Sequence, residues 1–90
     1  MKKNKVVFLD RDGTINKNFG YVIDKDKFIF LKKAISAIKF LREKDYKVIV
    51  VTNQSGVSRG YFKLKDVNEL HRWVNLQLRK KNTKIDRFYV

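Results

Sequence analysis

Residues 6–14, Val6-Val7-Phe8-Leu9-Asp10-Arg11-Asp12-Gly13-Thr14, decide how the rest of the chain is read. Four consecutive apolar residues end at two carboxylates spaced two apart. A continuous apolar run of this length, ending abruptly, is the pattern of a strand buried on both faces of a parallel sheet. Gly13 follows at once, and glycine lets the backbone turn sharply and approach a ligand closely. The chain thus leaves a strand and immediately presents two acidic groups in a turn.

Working outward from this stretch, a polar segment runs from Arg11 to about Asp26. Leu31, Ala34, Ile35, Ile38 and Leu41 then recur at three- and four-residue spacing, which is one face of a helix. Arg42-Glu43-Lys44-Asp45 closes that helix. Lys47-Val48-Ile49-Val50-Val51 is a second strand of the buried kind, stopping at the turn-forming Thr52-Asn53-Gln54-Ser55-Gly56. A loop with Gly56 and Gly60 leads to a second helix whose stripe is Val67, Leu70, Val74 and Leu78, with Trp73 beside it. Arg87-Phe88-Tyr89-Val90 reads as a third strand. Strands alternating with helices predict an α/β fold, a parallel Rossmann-like sheet of about three strands with flanking helices and right-handed crossovers. Ligands of such sheets bind beyond the carboxyl ends of the strands, so Asp10 and Thr52 are expected in one crevice.

The pair Asp10 and Asp12 carries the most chemical information. Burying an unpaired carboxylate is costly, and a cation or a reacting phosphate would justify two of them at a strand end. Mg²⁺ takes oxygen ligands, commonly one or two carboxylates with phosphate and water. An aspartate can attack phosphorus, and a second carboxyl can protonate the leaving oxygen. The backbone N–H groups around Gly13 can cradle phosphate oxygens. An EF-hand loop shares the DxDG string but needs flanking helices and a Glu at its twelfth position. Here a strand precedes the motif and position 12 is Tyr21, so the calcium loop is rejected. Thr52 can donate a hydroxyl to a phosphate oxygen, and Asn53 and Gln54 offer amide donors to phosphate or sugar hydroxyls. Arg59 is read equally as a partner for a second phosphate or as a surface arginine. His71, alone within the second helix, is read as structural, and Trp73 as core packing.

Composition sets the frame. Ninety residues bound the chain to at most one small domain. An apolar content of 43%, with seven Phe, four Tyr and one Trp, excludes a disordered tail. The net charge of +13 could serve a nucleic acid or an acidic membrane. The lysines are scattered and do not form one block, which argues for solvated basic faces and against a nucleic-acid partner. Cysteine is absent, so disulfides are impossible, and the expectation is a cytoplasmic protein. No apolar run suits a signal peptide or a membrane span. The oligomeric state is not encoded visibly, although an open sheet edge invites self-association.

Asp10-Arg11-Asp12-Gly13-Thr14 resembles the first signature of the haloacid dehalogenase superfamily, DxDGT, and Thr52 resembles its second, a Thr or Ser ending the next strand. Longer strings are similar to the heptose-1,7-bisphosphate 7-phosphatase family within it: FLDRDGTIN, then Gly20-Tyr21-Val22, then VVTNQSGVSRGYF over 50–62. Histidinol-phosphate phosphatases share the DRDGT and TNQ strings but usually differ after TNQ. The resemblance covers essentially all 90 residues. It implies that Asp10 is the nucleophile and a Mg²⁺ ligand. It implies that Asp12 is the acid/base and offers Mg²⁺ its backbone carbonyl, and that Thr52 holds the transferring phosphoryl group. Asn18, Phe19, Gly20, Tyr21, Asn53, Gln54 and Ser55 would contact a small phosphorylated sugar. Relatives often carry Asp-His where this chain has Asn18-Phe19, so Phe19 departs from the pattern.

The same resemblance says what these residues do not include. The superfamily uses a Lys from a third signature and one or two Asp from a fourth, and neither pattern is recognisable here. Lys80 and Lys81 stand at a helix end without the pattern that follows the family's lysine. Close relatives also hold a structural Zn²⁺ in a loop of three Cys and one His. That loop would begin just after Val90, and its ligands are absent. The chain is therefore expected to be the N-terminal part of a single phosphatase domain, with little or no turnover by itself. In the family this activity serves surface-polysaccharide synthesis.

Overall fold

The computed structural model describes residues 5–18, 20 and 22–90. Strand β1 (Lys5–Asp10) is followed by a long segment with one 3₁₀ turn (Lys25–Lys27) and by helix α1 (Ala34–Glu43). Strand β2 (Tyr46–Val51), a single helical turn α2 (Ser55–Ser58), helix α3 (Leu64–Arg79) and strand β3 (Arg87–Tyr89) complete the order. The three strands are parallel and lie in the order β1-β2-β3. This is the expected α/β architecture. The short helical turn α2 stands where the sequence pattern suggests only loop, because four residues are too few to show a period.

Local signals place the helix ends. Asp66 accepts a hydrogen bond from the Lys63 N–H at 3.0 Å. That bond satisfies one orphan donor of α3 and sets negative charge at the positive end of its dipole. At the end of α1 the Lys44 N–H returns to Phe40 and Leu41, and Asp45 adopts φ 67°, which turns the chain into β2. The stripe predicted for α3 is the one that is buried: Val67, Val74 and Leu78 are fully covered and Leu70 nearly so. In α1 only Ile38 is fully buried, with Ile35 and Leu41 packed at the margin, and Leu31 precedes the helix. Trp73 packs on the core as expected, edge-to-face against Phe28 at 5.9 Å.

The register decides which strand residues meet the helices. Val7 lies beside Val48, and Leu9 beside Val50 and Phe88. These residues share one face of the sheet and join Ile38, Leu70, Val74, Leu78 and Ile85 in a single core. The opposite face carries Val6, Phe8, Ile49, Val51 and Tyr89, of which Phe8 is 64% exposed. The expectation that β1 and β2 are buried on both faces is therefore corrected. Both crossovers step in the same direction along the sheet, and with the usual right-handed connection that places α1 and α3 on one face, where their residues share one core. An apolar run fits a strand covered on two faces, but topology decides whether a second cover is present.

Candidate active site

Parallel strands bring their carboxyl ends to one rim, and the residues there line one cleft. Asp10 ends β1, and Thr52 follows β2 directly. The Thr52 N–H bonds to the Tyr89 carbonyl at 2.9 Å, which fixes the start of its loop against β3. Asp10, Arg11, Asp12, Asn18, Gly20, Thr52, Asn53 and Gln54 surround a cavity of about 300 Å³. The crevice expected from sequence pattern is thus formed.

The turn after β1 is built on the Arg11 carbonyl. It accepts from the amides of Thr14, Ile15 and Asn16 at 3.2, 2.8 and 3.2 Å. Gly13 makes this winding possible with φ 85°, a conformation that a side chain would strain. The Gly13 N–H returns to the Asn16 carbonyl at 2.8 Å. Asn16 also bridges to Phe30, so the long loop is sewn to the sheet end and does not hang free. Asn18 accepts from the Gly20 N–H at 3.0 Å, a local turn that sets one lip of the cleft.

Asp12 is held from several sides. Its Oδ1 accepts from Arg11 Nε at 3.2 Å, Arg11 Nη2 at 2.9 Å and Asn16 Nδ2 at 3.0 Å. Its Oδ2 accepts from Gln54 Nε2 at 3.1 Å. Gln54 uses its second amide hydrogen on Thr52 Oγ1 at 2.6 Å. The Thr52 hydroxyl then keeps its own hydrogen for another acceptor. Thr52 and Gln54 are both buried. No such bond is made to the Asp10 carboxylate among the described residues, and Asp10 is exposed at the cleft.

Arg11, whose role the sequence pattern does not reveal, is the most buried charged side chain among the described residues, at 1% exposure. Its guanidinium also donates to the Val22 carbonyl at 2.8 Å and lies 5.8 Å from the centre of the Phe28 ring. A buried charge is tolerated when it is paired and its donors are used, and the carboxylate of Asp12 and this carbonyl meet that condition. His71, expected to be structural, is buried in α3 and stacks on Phe88 with ring centres 4.1 Å apart. Its Nε2 is 3.1 Å from Arg11 Nη1, so it touches the motif from 60 positions away. Burial, and next the Arg11 charge, lower its pKa to about 4, and Asp12 opposes them. Asn16 is the third residue missed. Only its position four after Asp12 could have pointed to it.

Other expected residues fall outside this arrangement. Arg59 is exposed in the loop after α2 and does not line the cleft. Phe19 and Tyr21 lie outside the described residues, and the Ser55 side chain does too. Lys80 and Lys81 follow the end of α3, which runs back to the opposite rim of the sheet. Among the described residues no group of three His, Cys, Asp or Glu converges as a metal site, and no helix is long and apolar enough to cross a membrane.

Known proteins carry the same pattern. The chain is 41% identical over 86 residues to D-glycero-beta-D-manno-heptose-1,7-bisphosphate 7-phosphatase of Haemophilus influenzae, covering 96% of this chain and 47% of that protein. It is 40% identical over 90 residues to D-glycero-D-manno-heptose-1,7-bisphosphate 7-phosphatase of Chlorobaculum tepidum, covering 99% of this chain and 45% of that one. The fold is similar to the crystal structure of D,D-heptose 1,7-bisphosphate phosphatase from B. bronchiseptica complexed with magnesium and phosphate. That match has a TM-score of 0.86 and 32% identity, and covers 94% of this chain and 48% of that one. The chain thus spans about half the length of the relatives it matches. The sequence profile of the polynucleotide kinase 3 phosphatase family matches residues 5–89, and the chain, with its haloacid-dehalogenase-like fold, belongs to that family.

Proposed function

We propose that these 90 residues are the N-terminal part of a phosphatase domain that removes one phosphate from a heptose bisphosphate through an aspartyl-phosphate on Asp10. The observation that carries this reading is the convergence of Asp10, Asp12, Thr52 and Gln54 on one cleft at the strand ends. The heptose bisphosphate phosphatases at about 40% identity support the substrate class.

The division of labour follows from the contacts. Asp10 is exposed and bears no hydrogen bond among the described residues, so its oxygens are available to attack phosphorus as the bond to the leaving sugar oxygen breaks. Asp12 gives that leaving oxygen a proton, then takes one from the water that hydrolyses the aspartyl-phosphate. Oδ1 already accepts three hydrogen bonds and Oδ2 only one, so Oδ2 is the oxygen for the proton. The Thr52 hydroxyl donates to the transferring phosphoryl group. Asp10 and the Asp12 backbone carbonyl are all-oxygen donors at one rim, the chemistry that suits Mg²⁺. Bound there, Mg²⁺ would supply positive charge against the phosphoryl oxygens. One carboxylate and one backbone carbonyl are a partial donor set, and among the described residues no lysine lines the cleft. Phosphoryl transfer depends mainly on positioned positive charge, so little or no turnover is expected from these residues alone.

The test is phosphate release from D-glycero-D-manno-heptose 1,7-bisphosphate in Mg²⁺, with chemical-shift mapping of the bound sugar. Shifts clustered at the cleft residues, with negligible release, are the expected pair of results. Release that disappears in Asp10→Asn would overturn the claim of incompleteness. Absence of any shift at the cleft would overturn the substrate class. Histidinol phosphate is the competing ligand in the same assay. A second reading, a non-catalytic module binding nucleic acid or other polyanions, draws on the +13 charge. It requires affinity that falls steeply with salt and is indifferent to Asp10.

A further inference from the structure

His71 is a buried polar residue that the proposed chemistry does not use. Its ring lies flat between α3 and β3, 11° from the plane of Phe88. An arginine side chain has donors only. The 3.1 Å contact with Arg11 Nη1 therefore requires Nε2 to be the acceptor, which puts the ring hydrogen on Nδ1. That Nδ1 is buried without a partner. An unsatisfied buried donor destabilises the fold, whereas a phenylalanine would stack on Phe88 without it. The imidazole is thus a poor choice for packing alone, and what it adds over a phenyl ring is an acceptor aimed at Arg11.

A guanidinium is a rigid planar fork, so its orientation is fixed once its corners are engaged. Nη1 meets His71, Nη2 meets the Val22 carbonyl, and the Nε–Nη2 edge grips Asp12 Oδ1. The three partners come from α3, from the long loop and from the turn after β1. Freeing Nη1 would remove one of the fork's three anchors, loosening the orientation in which it holds Asp12.

We propose that His71 is a positioning residue: through Arg11 it holds the Asp12 carboxylate in one orientation, with Oδ1 occupied and Oδ2 left for the cleft. The clamp stands on the geometry, and only its use in proton transfer rests on the phosphatase reading.

The experiment is heteronuclear NMR on the labelled chain and on His71→Leu and His71→Gln. In the unsubstituted chain at pH 7, His71 should be protonated on Nδ1 with a bare Nε2. The Arg11 Nη groups should give separate resonances, because rotation about Nε–Cζ is held back. His71→Leu should speed that rotation at least about tenfold, the effect of one lost hydrogen bond to a charged group, and move the Asp12 carboxyl resonance. His71→Gln keeps an acceptor and should restore both. An unchanged Arg11 rotation rate in a folded His71→Leu would overturn the proposal, and so would a ring proton on Nε2. If His71→Leu fails to fold, the tautomer and the Arg11 resonances of the unsubstituted chain still decide it. Loss of Mg²⁺-dependent phosphate binding in the unsubstituted chain would sink the phosphatase reading and leave the clamp intact.

Discussion

The two faces of the sheet come from the same three strands and both carry large apolar residues, with Lys47 and Arg87 added on one, yet one face is a core and the other is open. Val48 and Val50 are fully covered, while Val51, next in the same strand, is 45% exposed. Val7 and Leu9 pack into the core, while Phe8 between them does not. The difference arises from two crossovers that step the same way and place both helices on one side. Burial here is a property of topology first and of residue type second. Asp10 belongs to the open face, beside Val51 in register, and Asp12 is reached from the covered side through Arg11 and His71. The proposed nucleophile and the proposed acid/base thus sit on different supports.

Substitutions can break this contrast most strongly on the covered face. Leu78 is fully buried against the sheet, so Leu78→Ala should destabilise by about 2–5 kcal/mol, read from urea or guanidinium unfolding. The next effect is in pH. His71 titrates at about 4 when folded and near 6.5 when unfolded, so between these values the unfolded chain binds a proton that the folded chain refuses. Stability should therefore be fully present above about pH 6.5 and fall as pH drops toward 4. The total loss is about 3 kcal/mol at 1.36 kcal/mol per pH unit. Subtracting the same curve for His71→Gln isolates this contribution, and a flat difference would contradict it.

A smaller loss is expected at Asp86, which ties β2 to the loop before β3. Its Oδ2 accepts from the Val48 N–H at 2.7 Å and Oδ1 pairs with Arg42. Burial works against its charge, but the Arg42 hydrogen bond and the Val48 amide outweigh burial and hold its pKa below the ordinary carboxylate value. Asp86→Ala leaves a buried amide unpaired and should cost about 1–3 kcal/mol in the same unfolding experiment. The smallest effect belongs to the open face. Phe8→Ser should change stability by no more than about 0.5 kcal/mol. It should also lower any concentration-dependent association in sedimentation velocity. A loss comparable with that of Leu78→Ala would mean that the second face is covered in solution.

The element order was readable because each strand and helix carries its own period, and parallel strands then bring Asp10, Asp12, Thr52, Asn53 and Gln54 to one rim. What was unreadable depends on long-range geometry. Val6 and Val7 look alike in the chain, and only the placement of α1 and α3 separates them. Arg11 reads as a spacer between two aspartates, because its partners Val22 and His71 lie 11 and 60 positions away. His71 looks like an isolated helical histidine for the same reason. The helical turn α2 was hidden by its brevity.

The cleft between Asp10 and Thr52 is proposed as a phosphoryl site. Its most direct test is calorimetric titration of the chain with inorganic phosphate, with and without Mg²⁺, beside Asp10→Asn. The expected result is binding that needs Mg²⁺ and is lost in Asp10→Asn while the fold is retained. Phosphate binding of equal strength in Asp10→Asn, or without Mg²⁺, would contradict it.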